Sequence, residues 1–138
     1  MNIERVSGIY SFLIGFSIAL IWLILFVGGG DEDMAVSLRT TPIEMGTHIA
    51  AELITASVLI AAGLGLLKGQ SWSRKWFFFG TGLLTYSVIS AAGFYGQRGD
   101  LAIAGVFGTI FISAIILSVL LWWNDRPGQE PHPGIQSR

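Results

Sequence analysis

The sequence predicts an all-α fold, an antiparallel bundle of four membrane-spanning helices, and three observations carry that prediction. Of 138 residues, 52% are hydrophobic and 12% charged, about half the charged fraction of an average soluble domain, and the mean hydropathy is +0.64. Four apolar segments reach the roughly 20 residues that the hydrocarbon core of a bilayer requires of a helix. None of them alternates apolar and polar residues at period two, so a membrane β-barrel does not fit.

The first span covers residues 7–27. Arg5 before it and Gly28-Gly29-Gly30 after it give it the outline of a signal peptide. Its apolar length exceeds that of a signal sequence and no A-x-A-like cleavage site follows, so it reads as a retained helix. The second span is 43–67, the third 76–95 and the fourth 101–123. Residues 68–75 and 96–100 form short polar connections, which makes the last three spans antiparallel neighbours. Residues 28–42 form a longer, acidic connection. The spans make one domain over residues 1–123, and residues 124–138, with Pro127, Pro131 and Pro133 among polar side chains, read as a disordered tail.

An even number of spans puts both termini on one side. That side carries Arg5, Lys68, Arg74, Lys75, Arg126 and Arg138, whereas the other carries Arg39 and Arg98 beside Asp31, Glu32, Asp33 and Asp100. Lysine and arginine favour the cytoplasm, so the expectation is a multi-pass protein of the cell membrane with both termini cytoplasmic. Trp22, Trp72, Trp76, Trp122 and Trp123 lie at or near span ends, as interfacial anchors do. A net charge of −1 gives no electrostatic case for nucleic acid. The absence of cysteine removes thiolate chemistry and cysteine-ligated metals. No P-loop, dinucleotide fingerprint, H-E-x-x-H pattern or serine-nucleophile motif occurs.

Function enters with Glu52. Between Met45 and Leu67 it is the only side chain charged at neutral pH, apart from what proton His48 holds. An ionisable group at that depth costs about 2.5 kcal/mol or more on insertion scales and normally faces the protein interior with a partner. Glu44, His48, Glu52 and Thr55 follow at intervals of four, four and three, within an arc of about 80° on one helix face. Gly46, Ala50, Leu53, Ala61 and Leu64 make the opposite face, with Ser57 its one polar member. The third span carries a second stripe, Tyr86, Ser90, Gly93 and Gln97. Glu52 and Tyr86 each lie about nine residues from the outer end of their span, and His48 and Ser90 about five. Equal depth predicts the pairs Glu52–Tyr86 and His48–Ser90, with Gln97 and Arg98 near Glu44 at the outer mouth.

Three readings compete for this cluster. Its residues glue two helices together; they bind a proton, a cation or a small polar ligand; or Glu44, His48 and Glu52 ligate a divalent metal. Binding is the reading preferred, since helix glue more often uses Ser, Thr, Asn or Gln than a carboxylate. The metal reading lacks a second histidine in the bundle, because His132 lies in the tail. Nothing identifies a cofactor, and no motif makes the chain an enzyme. The lone GxxxG match, Gly65/Gly69, falls at the inner end of the second span.

The stretch HIAAELITASVLIAAGLGLL (48–67), a tryptophan at Trp72 or Trp76, and GLLTYSVISAAGFYGQRGD (82–100) resemble a group of uncharacterised small prokaryotic membrane proteins. More distantly they are similar to the DoxX-like four-helix families, through the step Ala51-Glu52-Leu53 and the Gly-Leu-rich half from Gly63 to Leu67. The resemblance spans about residues 46–111. It implies an accessory subunit of a membrane redox complex and transfers no catalytic residue. Partners expected from the sequence are therefore the lipid bilayer, a small polar ligand or cation, and either further copies of the chain or a membrane complex.

Overall fold

A computed structural model describes residues 2–29 and 32–124. The order is α1 (Ile3–Val27), α2 (Glu32–Thr40), α3 (Pro42–Leu67), α4 (Ser73–Gln97) and α5 (Leu101–Trp123), with no strand among the described residues. Four of these helices, α1, α3, α4 and α5, are long and apolar enough to cross a membrane. At 23 to 26 residues each they measure about 35–39 Å. Of the tail predicted to be disordered, Asn124 is described, and residues 125–138 lie outside the described residues, as do Gly30 and Asp31 in the first connection.

The helices outrun the apolar segments because backbone hydrogen bonding continues where hydrophobicity stops. α1 begins four residues before the predicted span, where the Asn2 side chain accepts from the Glu4 N–H at 3.1 Å, a side-chain cap that satisfies one of the orphan donors of the first turn. α4 extends through the polar residues Ser73 and Gln97. The connection at 28–42, read from the sequence as a longer, acidic loop, contains the nine-residue helix α2, which packs on α3.

Around the bundle the order is α1, α3, α4, α5, and α5 closes back on α1 over a short stretch. There the Tyr10 hydroxyl donates to the Ile110 carbonyl at 2.8 Å. The most extensive contact is between α1 and α3. Ser7, Ser11 and Gly15 recur every four residues on α1 and are buried, the small-residue spacing that lets helix backbones approach closely. Opposite them, a Cβ added to Gly63 would stand 2.6 Å from the backbone nitrogen of Phe12, so only glycine fits. Ser11 donates across the interface to the Leu59 carbonyl at 2.9 Å. These small residues were missed in the sequence because serine serves as well as glycine. Gly69, half of the GxxxG match, has φ +67° and turns the chain from α3 into α4, a conformation other residues adopt at a cost.

Two apolar clusters fill the middle: Leu59, Leu84, Val88 and Ala114, and, toward the end carrying Arg5, Lys68, Arg74 and Lys75, Ala62, Leu66, Phe77 and Leu121. Beside them Ser7, Ser11, Thr55, Ser73 and Thr81 are also buried. The outer surface is largely apolar, with Leu13, Phe16, Ile24, Ile54, Ile112 and Ile116 among the exposed side chains. Gly46, Ala50, Leu53, Ser57 and Leu64 of α3 face outward, as their periodicity predicts.

Candidate functional site

α3 presents its polar face to α1 rather than to α4. Glu52 lies there with its side chain 21% exposed, and the indole Nε1–H of Trp22 donates to its Oε2 at 2.9 Å. The other oxygen, Oε1, stands 3.8 Å from His48 Nε2, and the His48 side chain is 52% exposed. The Trp22 ring, 6% exposed, meets the His48 ring edge-on at 6.2 Å between centroids and lies 5.9 Å from Phe26. The carboxylate is thus fixed on its buried side by a donor and open on the other toward a half-exposed imidazole.

Helical side-chain direction explains how these groups meet. Trp22 sits about five residues, or about 7.5 Å, nearer the end of its helix that faces the α1–α3 connection than Glu52 does. Side chains lean toward the N-terminus of their own helix, and α1 and α3 run antiparallel. The indole therefore leans back along α1 while the carboxylate leans the opposite way along α3, and the offset closes. Indole is a donor with no acceptor, which suits a carboxylate.

This arrangement corrects the expected pairing of Glu52 with Tyr86. The Tyr86 ring is 74% exposed. Ser90, Gln97 and Gly93 also face outward on α4, and no hydrogen bond or ion pair joins that stripe to Glu52, His48 or Glu44 among the described residues. Equal depth holds for every helix in a bundle, whereas facing decides contact. Trp22, read as an interfacial anchor, is instead the buried partner; its sequence signal was a donor-only aromatic inside an apolar run, residues 7–27, that has no charged side chain. Trp72, Trp76, Trp122 and Trp123 are exposed at helix ends, as anchors require. Thr55 is buried and donates to the Ala51 carbonyl of its own helix at 2.8 Å, so its one proton is already used. Glu44 is exposed, and no group of three His, Cys, Asp or Glu side chains suited to a metal ion occurs among the described residues. The possible metal set Glu44, His48 and Glu52 therefore does not assemble.

A second polar contact, absent from the sequence reading, lies at the opposite end of the bundle. Arg74 at the start of α4 donates through Nε to Glu4 Oε1 at 2.8 Å, and through Nη2 to the same oxygen. The pair borders an open cleft of about 430 Å³ beside the α3–α4 turn.

The profile of the family described as a domain of unknown function, DUF8058, matches residues 1–130. The chain belongs to the DUF8058 family. The DUF8058 match takes in all five helices and so includes Trp22, His48 and Glu52. No curated protein and no solved structure matches the DUF8058 chain.

Proposed function

We propose that this DUF8058 protein is a small integral protein of the cell membrane in which Glu52, His48 and Trp22 form a site for a proton, a cation or a small polar ligand reached from outside. The four long helices cross the bilayer, with the start of α1 and the end of α5 on the cytoplasmic side. Support for the bilayer comes from the apolar outer surface, which in water would far exceed the patches that soluble monomers expose. Support for the orientation comes from Arg5, Lys68, Arg74 and Lys75 at one end of the bundle.

The observation that carries the site is the carboxylate of Glu52, held at one oxygen by Trp22 at 2.9 Å and facing His48 with the other at 3.8 Å. With one proton between them, Glu52 and His48 are neutral overall, whichever group holds it. Loss of that proton leaves a single negative charge in apolar surroundings, a state that a bound cation neutralises. The pair is therefore suited to exchange a proton for one positive charge, while Trp22 orients the carboxylate without competing for the proton. Four helices of this size enclose too little volume for a wide pore, so net transport requires more than one copy.

The test is proton release from purified protein in liposomes on addition of sodium, potassium or a small organic ammonium ion. Wild type is expected to release protons, and Glu52→Gln to release none while its helix content is unchanged by circular dichroism. Equal release from both proteins overturns the site.

A second reading, a non-catalytic accessory subunit of a membrane redox complex as the DoxX-like resemblance implies, draws on the same Trp22–Glu52 bond, which ties α1 to α3 with nothing bound. It expects no proton release from wild type and the recovery of a stable redox partner on native purification.

A further inference from the structure

The cleft beside the α3–α4 turn takes no part in the Glu52 site and lies at the opposite end of the bundle. Its walls include Glu4, Gln70, Ser71, Arg74 and Lys75. Glu4 is engaged by Arg74, which leaves Lys75, exposed and without an ion-pair partner among the described residues, as the uncompensated charge. The side chains of Gln70 and Ser71 likewise make no hydrogen bond among the described residues, so an ammonium, an amide and a hydroxyl all offer free donors to one space. The rings of Trp72 and Trp76, adjoining the cleft in sequence, are half-exposed and meet edge-on at 6.1 Å. Tryptophan at such a position marks the headgroup level of a bilayer.

We propose that this cleft binds the phosphate headgroup of an anionic lipid in the cytoplasmic leaflet. The proposal rests on the bilayer reading above. Phosphate oxygens only accept hydrogen bonds, and the cleft supplies donors together with one free positive charge, Lys75 acting as a compact point charge. A volume of about 430 Å³ admits a headgroup rather than a bare ion alone. Basic groups at this level attract anionic lipids by about fivefold per residue.

The test uses the protein's own tryptophans. In full-length protein carrying Trp122→Phe and Trp123→Phe, emission comes from Trp72, Trp76 and the buried Trp22. The share of Trp72 and Trp76, taken as the difference from the same protein with Trp72→Phe and Trp76→Phe added, is followed in vesicles containing brominated phosphatidylglycerol or brominated phosphatidylcholine at the same mole fraction. Stronger quenching by the anionic lipid is expected, with that preference reduced about fivefold by Lys75→Gln and retained in Lys68→Gln, whose side chain lies outside the cleft. Equal quenching by the two lipids overturns the cleft site and leaves the bilayer reading intact. Quenching by neither overturns the bilayer reading and this proposal with it. An equal effect of the two lysine substitutions overturns the cleft in favour of diffuse surface charge. Loss of the preference on adding inorganic phosphate at constant ionic strength overturns the lipid and assigns the cleft to free phosphate.

Discussion

Trp22 on α1 donates its indole N–H to the carboxylate of Glu52 on α3 at 2.9 Å, and this bond joins the two helices that make the most extensive contact in the bundle. A buried donor and a largely buried acceptor satisfy one another, so removing either leaves its partner without a bond.

Trp22→Phe is expected to lower stability by about 1–3 kcal/mol, from the lost donor and the altered ring packing. Glu52→Gln is expected to cost less, since its amide oxygen still accepts from the indole. In a double-mutant cycle read by thermal unfolding in detergent, Trp22→Phe and Glu52→Leu should be clearly non-additive. Additive effects would show that the bond contributes nothing to the fold.

Gly63 and Gly46 lie on the same helix and should respond in opposite directions to alanine. At Gly63 the new methyl meets the Phe12 backbone at 2.6 Å and forces α1 away, a loss of about 1–3 kcal/mol. At Gly46 nothing lies within 4 Å, and alanine gains up to about 1 kcal/mol of helix propensity. Melting temperatures of the two variants check this, and a common direction would contradict the close approach of α1 and α3.

Arg74 and Glu4 are both partly exposed, which limits their ion pair to about 1 kcal/mol or less. Arg74→Gln should therefore lower the melting temperature slightly, and the difference from wild type should shrink as salt rises. A large and salt-independent loss would assign Arg74 a packing role instead.

Tyr86→Phe separates the predicted pairing from the observed one. The phenol is on the outer face of α4 and has no hydrogen-bond partner among the described residues, so its removal should change stability by no more than about 0.5 kcal/mol. It should also leave proton release by the Glu52 site unchanged. Loss of either property would restore Tyr86 as a partner of Glu52.

Much of the architecture was legible because local quantities govern it. An apolar run sets where a long helix lies, so α5 coincides with its predicted span and α3 begins one residue early. The helix ends were less legible, since Asn2 caps α1 and the backbone of α4 runs on through polar residues at both ends, which hydropathy does not register. α2 was missed for the same reason: its nine residues carry no apolar stretch of the length that marked the others.

The sequence alone determined that Glu44, His48, Glu52 and Thr55 share one face of a helix, because about 100° per residue places them there whatever surrounds it. Tertiary structure decided what that face meets. α3 has two neighbours, and the short α3–α4 connection drew the expected contact toward Tyr86. The tighter fit is with α1, where Ser7, Ser11 and Gly15 let the backbones approach against Gly63 and bring Trp22 to the carboxylate. Facing depends on the shapes of two surfaces brought together, and no spacing within either helix contains that information.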